Sequence, residues 1–502
     1  MGVEVPRFDG PLPSRLDAEI CVVGAGIAGL SIAHSLMREG RRVAVLDDGP
    51  IGGGETGRTT SHLTAALDVR LAEIESIHGV EGARRAVASH MAAIDRIETT
   101  CREEGIRCDF ARVDGYLFGP TRGVRELDRE RAAGERAGLQ GLELMTRVPL
   151  RSFDTGPALR FPRQAMMHPL LYLRGLAEAC ARGGVKIHTG VHVSSIDDGA
   201  PPKVRTSDGR VIETDAIVDA TNGTISAPLA IPLRQAGYMT YVIGLMVPAG
   251  TVPAGLFWDM QDPFHYVRLR STSEPGPEVM LLIGGADHKA GQDRKPEHRY
   301  AEIEAWARAR FPAAGAVTAC WSGEIRNTFD GLAFIGKVPG KRNVFVATGD
   351  SGNGMTYGTI AGIVLTDILM GRHDEWAELY EPSRKTLRAL GELARENANT
   401  AKQYADWLRP CVHSTDDIPA GSGAIVRSGP RLLAVYRDPA GTLHERSAMC
   451  PHLGGVVGWN EAEKTWDCPC HGSRFDATGR VISGPARTDL ELPEGGKRHR
   501  AA

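Results

Sequence analysis

Three of the nine cysteines fall between Cys450 and Cys470, in two short loops that each also carry a histidine: Cys450-Pro451-His452-Leu453-Gly454-Gly455 and Cys468-Pro469-Cys470-His471-Gly472-Ser473, with fifteen residues between His452 and Cys468. Thiolate and imidazole are the donors favoured by soft and borderline metals. A zinc ion accepts two of each, but zinc loops usually pair like with like. Here each loop offers both Cys and His, beside glycines that let backbone N–H groups approach a bound group. The remaining cysteines are spread too thinly for a disulfide framework. A second constellation stands near the start, where Gly24, Gly26 and Gly29 follow directly on the apolar run Glu19 to Val23. In such a turn the first glycine permits the bend, the second lets the backbone approach a pyrophosphate, and the third lets helix pack on strand. The helix N-terminus then favours the phosphate charge. Asp47, about 20 residues further on, is placed to hydrogen-bond a ribose hydroxyl. These residue types point to a metal centre and a bound dinucleotide on one chain.

The elements that must position them can be read around the motifs. The glycine turn lies between a strand and the helical pattern LSIAHSLMREG, and the next strand, Arg42 to Leu46, delivers Asp47. After Gly371 the segment DEWAELYEPSRKTLRALGELARENANTAKQYADWL reads as helical, broken at Pro382. Beyond Pro410 short strands such as GAIVRSG, RLLAVYRD and TLHERSAM, with a turn at Asp438-Pro439-Ala440-Gly441, predict an all-β unit of about 90 residues. A chain of 502 residues needs more than one core. Its 42% hydrophobic and 24% charged content, with a net charge of -3 and no basic stripe, describes a globular protein and excludes a nucleic-acid binder. No run reaches the roughly 18 apolar residues of a membrane helix, and Met1 to Arg15 lacks the apolar centre of a secretory signal. A cytoplasmic protein without a membrane span is therefore expected.

The front of the chain resembles the FAD-dependent oxidoreductases of D-amino-acid oxidase and glycine oxidase type. Besides the glycine turn, the resemblance is carried by the run from Gly52-Gly53-Gly54-Glu55-Thr56 to Ser61-His62, by Val185 to Val193, by the hairpin VRTSDGRVIETDAIVDATNG turning at Asp208-Gly209, and by NVFVATGDSGNGMTYGTIAG, Asn343 to Gly362. It implies an α/β, Rossmann-like FAD-binding domain over 1–372 with an antiparallel-sheet substrate domain inserted at about 75–165 and 230–335, followed by a helical linker over 373–409. Flavin contacts are then expected from Gly24, Gly26, Gly29 and Asp47; from Arg58, Thr59 and Thr60; from Val193, Ala220 and Thr221; and from Gly349, Gly352, Gly354, Met355 and Thr356. His62, His265 and Arg268 are the catalytic candidates, with Tyr266 and His288 as further candidates for the pocket. No second G-x-G-x-x-G follows a strand in mid-sequence, so electrons are expected from a small-molecule substrate rather than from NAD(P)H. Glycine-oxidase-like members carry an arginine that clamps the amino-acid carboxylate. In the run Trp321-Ser322-Gly323-Glu324-Ile325-Arg326 that position is Ile325, and Arg326, one step on, should face the other way on a strand.

The two Cys-His loops resemble the Rieske family, whose [2Fe–2S] cluster has two cysteines on one iron and two histidines on the other. The resemblance implies Cys450, His452, Cys468 and His471 as the ligands and an all-β Rieske domain over 410–502. Two departures from the quinol-oxidising members are readable. The disulfide between their loops has only Cys470 here, with Gly455 at the partner position, and a sulfur-bonding tyrosine is replaced by Phe475, although Ser473 is kept. Fewer hydrogen bonds to sulfur favour the oxidised cluster, so a potential toward the lower part of the family range of roughly -150 to +300 mV is expected. Together the two resemblances imply an oxidoreductase that exchanges electrons between an amine-type substrate and a one-electron carrier such as ferredoxin, through FAD and the cluster. Flow in the opposite direction, fed by ferredoxin, and a non-catalytic electron-transfer module stay open at this point; a Rieske oxygenase does not, since the sequence has no Asp-x-x-His run with a following His for a mononuclear iron. Restoring the missing donor by Phe475→Tyr should raise the cluster's midpoint potential in an EPR-monitored redox titration; an unchanged or lower potential would contradict the assignment of that position.

Overall fold

A computed structural model describes residues 3–493 except 9, 11, 14–15, 228–229, 271–275, 294, 387–388, 404–411 and 413, and the statements below concern the described residues. The predicted linker end, 404–409, and the tail of the predicted Rieske domain, 494–502, lie outside them.

The strand Ile20–Val23 is buried along its whole length, as its unbroken apolar run requires. It forms the middle of a six-stranded sheet ordered Phe334–Lys337, Val344–Thr348, Ala216–Asp219, Ile20–Val23, Val43–Leu46, Lys186–His188, parallel except for the first pair. The helices Ile27–Arg38 and Gly354–Leu369 lie side by side. Their approach is set by glycine: a Cβ on Gly358 would stand 2.9 Å from Ala28 N, and one on Gly362 2.8 Å from Ser31 O. That contact aims both helix N-termini at one place.

A nine-stranded, mainly antiparallel sheet adjoins this unit. It runs from Val317–Thr328 through Gln235–Pro248, Glu278–Lys289, His265–Leu269, Leu256–Asp259, Ala111–Phe118 and Ala158–Met166 to His62–Leu63, with Glu143–Met145 beside Ala158–Met166. On one face Tyr241, Val267, Ile283 and Phe257 pack with Ile303, Trp306 and Phe311 from the helix His298–Arg310 and the residue after it. This packing decides which of the alternating side chains point toward the FAD-binding unit. The Asp208-Gly209 turn joins two antiparallel strands, Lys203–Thr206 and Val211–Glu213, as the sequence indicates.

After Gly371 come two helices, Ala377–Tyr380 and Ala389–Gln403, separated at Pro382. The C-terminal unit is all-β. A meander of Ser422–Ser428, Arg431–Arg437 and Leu443–Ser447 is followed by a four-stranded sheet of Gly458–Asn460, Thr465–Asp467, Arg474–Asp476 and Val481–Ser483. Trp466 and Phe475 fill its small core, and Cys450 and Cys468 are part of that core. No helix is long and apolar enough to cross a membrane.

Candidate redox site

The glycine turn, the sheet and the C-terminal unit enclose one cavity of about 670 Å³, within the range of about 300–1,000 Å³ usual for ligand pockets. Gly24 holds φ +110, and a Cβ there would stand 2.5 Å from Ala220 O, so the two loops meet as closely as backbone allows. Gly26 and Ala28 open the helix end into the cavity; the N-cap has no side chain to occupy it and the first turn carries no acid. Thr56 Oγ1 accepts the Ile27 N–H at 3.0 Å. Asp47 accepts N–H bonds from Ala25 (2.6 Å) and Gly49 (2.8 Å), and burial pushes its carboxyl up to about 6. A channel that begins at an open helix N-terminus and ends on the antiparallel sheet fits FAD.

Most of the expected flavin contacts line this cavity: Gly24, Gly26 and Asp47; Arg58, Thr59 and Thr60; Val193, Ala220 and Thr221; Gly352, Gly354 and Met355. Three do not, and each has a different reason. Gly29 is pressed against Gly24 O, where a Cβ would come within 1.8 Å, so it serves the helix–strand contact. Gly349 turns the chain against Thr328 and Gln235, and Thr356 Oγ1 bonds back to Asn353 O at 3.0 Å.

The sheet end of the cavity is walled by Trp258, Phe264, Tyr266 and the His62 ring, which lies 5.7 Å from Trp258 and 5.6 Å from Tyr266 between centroids. His62 Nδ1 is 3.0 Å from Thr60 Oγ1, Nε2 is shut off from water with no hydrogen-bond partner, and burial lowers the imidazole to about 3. It is a neutral wall residue whose nitrogens are turned to protein. Of the other catalytic candidates, His265 lies on the far face of its strand, bonded to Asp259 at 2.9 Å and stacked on Trp306 at 4.4 Å. Arg268 is on the near face but buried below the cavity, donating to Met167 O at 3.1 Å. His288 also faces away, 3.0 Å from Tyr241. Strand alternation was legible; which face met the flavin was not, because the helix His298–Arg310 decides it.

Two acids missed by sequence reasoning stand by the aromatic wall. Asp68 lines the cavity beside Gly352, and burial, with Asp287 and Asp350 adding to it, raises it to about 7. Asp287 lies behind Thr240 and is raised to about 6 by burial. Lone aspartates remote in sequence carry no motif that could have flagged them.

The two Cys-His loops fold alike. Cys450 N–H donates to Gly455 O (2.8 Å) and Gly454 N–H to Cys450 O (2.9 Å); Cys468 N–H donates to Ser473 O (2.8 Å) and Gly472 N–H to Cys468 O (3.0 Å). Gly454 and Gly472 hold φ +74 and +76, a conformation glycine adopts without strain. The fold sets cysteine beside cysteine, with Ser473 bonding Cys450, and histidine beside histidine, the His452 and His471 rings 4.9 Å apart. Both nitrogens of His471 are buried without a hydrogen-bond partner, as a ligand position requires. Donors segregated by type fit a [2Fe–2S] cluster, one iron on sulfur and one on nitrogen. A Cβ on Gly455 would be 2.6 Å from Cys470 Sγ, so the position that would carry the second disulfide cysteine does face Cys470 and holds only glycine.

The same fold joins the loops to the cavity. Ile325 lines the cavity, and Arg326, on the opposite face of the strand, donates to His471 O (3.0 Å), Gly472 O (3.4 Å), Ser483 Oγ (3.2 Å) and Gly484 O. It is 3% exposed and ion-paired at 2.7 Å with Glu324, whose carboxyl burial raises to about 7 against the pull of Arg326 and Arg474. Arg58 with Glu463 (3.0 Å) and Gln292 with Pro469 O (3.0 Å) extend the contact, and Thr400 of the helix Ala389–Gln403 reaches Cys470 O (3.2 Å).

Comparison with known proteins agrees with this geometry. Residues 19–368 match the FAD dependent oxidoreductase (DAO) family, and residues 409–494 match the Rieske [2Fe-2S] domain. The chain belongs to the DAO family and carries a C-terminal Rieske domain. YhfW of Bacillus subtilis (strain 168), which bears a Rieske 2Fe-2S iron-sulfur description, is 30% identical over 97% of this chain and 95% of its own. OrdL of Haemophilus influenzae, described as an oxidoreductase, is 25% identical over 80% of this chain and 94% of its own. The crystal structure of glycine oxidase from Geobacillus kaustophilus shares the fold, with a TM-score of 0.62 at 19% identity over 73% of this chain and 99% of that one. The protein is thus an FAD-dependent oxidoreductase with a [2Fe–2S] centre, and both cofactors have residues that fit them.

Arg326→Leu should loosen the docked Rieske domain by about 3–5 kcal/mol, because it breaks a buried ion pair and leaves Glu324 without its 2.7 Å partner. Faster tryptic cleavage within Ala389–Gln403 would report it. Adding Glu324→Gln to the variant should restore much of the protection, and equal cleavage rates in all three proteins would contradict the coupling.

Proposed function

We propose that the protein oxidises an amine that lacks an adjacent carboxylate and delivers the electrons singly, through the cluster, to an external carrier such as a ferredoxin. The observation that carries this reading is Arg326: one buried guanidinium binds the backbone of the ligand loop at His471 and sits on the strand whose other face, at Ile325, lines the flavin cavity. Bound FAD accepts a hydride from carbon and can release electrons one at a time. The chain supplies the rest.

An aromatic wall attracts a cation through the ring faces, and Asp68 and Asp287 add negative charge next to it. No arginine occupies the carboxylate-clamp position, where Ile325 presents an apolar side chain instead. This surface suits an ammonium group rather than a zwitterionic amino acid, although glycine oxidase shares the fold. When the C–N bond becomes C=N, hydride leaves carbon and a proton leaves nitrogen, and Asp68 is a cavity carboxylate suited to hold that proton. His471 is buried toward the flavin side, whereas His452 is half-buried beside exposed Met449 (43%) and Leu453 (41%). The cluster therefore has an inner edge toward the flavin domain and an outer edge that a carrier can approach.

Anaerobic mixing with a panel of amines tests the reading. Amines without a carboxylate should bleach the flavin band, and the same sample should then show the EPR signal of the reduced cluster; bleaching by α-amino acids alone, or a cluster left oxidised, would contradict it. A quaternary ammonium competitor, whose charge does not titrate, should bind more weakly as pH falls from about 7 to 6. Asp68, raised to about 7, and Asp287, raised to about 6, are anionic above those values and neutral below them. The loss should reach up to about tenfold per pH unit for each proton linked to binding.

A further inference from the structure

Two of the three arginines lining the FAD cavity, Arg480 and Arg487, come from the Rieske domain. The third, Arg58, comes from the flavin domain and donates from Nη1 to Ser322 O (2.9 Å) and Glu463 (3.0 Å). Arg487 enters just beyond the closest approach of the two domains. A Cβ on Gly223 would lie 2.6 Å from Gly484 N, and one on Gly484 2.4 Å from Gly223 O, so backbone meets backbone there and only glycine is tolerated on either side.

Arg487 is half-buried, and its Nε is shut off from water with no hydrogen-bond partner. The acid within its electrostatic reach, Asp219, is occupied: its carboxylate accepts the N–H groups of Thr221 (3.3 Å), Ile225 (2.8 Å) and Ser226 (2.7 Å). Ala220, the next residue, abuts Gly24 of the glycine turn, so Arg487 borders the part of the cavity into which the helix N-terminus opens. An unspent donor on a partly desolvated cation, beside an open helix end, matches a diphosphate. Arg480 lies further along, within electrostatic reach of His192, which is itself bonded to Asp48 at 3.1 Å.

We propose that the FAD site is built by both domains, with Arg487 of the Rieske domain supplying a cation to the dinucleotide diphosphate, so that flavin binding and domain docking are linked. Linkage is reciprocal: whatever FAD gains from a docked Rieske domain, docking gains from FAD. The iron–sulfur domain then has a structural duty toward the flavin besides its redox one.

FAD affinity of the flavin-stripped, cluster-loaded full chain tests this, measured by flavin fluorescence for the wild type, Arg487→Ala and Arg487→Lys. Loss of a charge-assisted hydrogen bond should weaken FAD by about 10- to 100-fold in Arg487→Ala, with the lysine variant intermediate and the EPR spectrum of the cluster unchanged in both. An affinity for Arg487→Ala within about twofold of wild type would overturn the proposal. Should that variant fold poorly, hydrogen exchange on the wild type decides: FAD should slow exchange over 481–487, and identical rates with and without FAD would equally overturn it.

Discussion

Arg326 is a full positive charge buried at a domain boundary, and the rest of the arrangement depends on it. At 3% exposure it can be kept there only if acceptors meet it, and they come from both sides: Glu324 from its own strand, and the carbonyls of His471, Gly472 and Gly484 with the Ser483 hydroxyl from the Rieske domain. Undocking would strand the pair, so the interface behaves as part of the interior. Arg474, buried as well, is held charged by Asp467, Glu324, Glu55 and Glu463, which extends the same constraint across the boundary. A fixed interface gives the cluster a fixed relation to the flavin cavity, which is what electron exchange within one chain requires.

The strand that carries Arg326 also explains the character of the cavity wall. Successive side chains on a strand point to opposite faces, so a one-residue displacement of an arginine exchanges cavity for exterior. Here the cavity receives Ile325 and the Rieske loop receives the arginine. One register choice thus leaves an apolar side chain on the cavity side and creates the anchor for the second domain.

The parts of this architecture that were legible in the sequence are those whose residues lie close together along it. The glycine turn with Asp47, the hairpin at Asp208-Gly209, and the loops of Cys450, His452, Cys468 and His471 each write their local backbone geometry within a few tens of residues, and the structure forms the turn, the hairpin and the paired loops. Arg326 was seen to be out of register with a clamp, yet nothing local shows that its partner lies 145 residues away. Asp68 acquires its raised pKa from desolvation in the cavity and from the nearby Asp287 and Asp350, and Asp287 acquires its own from burial, all products of tertiary packing. His265 and Arg268 show the same limit in reverse. Their alternation was plain, but His265 was turned to Asp259 and Trp306, and Arg268 sank to Met167 O, once the helix His298–Arg310 had claimed one face of the sheet.

The central claim is that flavin and cluster exchange electrons inside one docked molecule. Light-driven reduction of the flavin, followed by time-resolved absorbance of the cluster over a wide range of protein concentrations, addresses it without need of a substrate. The account predicts a first-order cluster reduction whose rate constant is the same at every concentration. A rate that rises in proportion to protein concentration would show electrons passing between molecules and would contradict it.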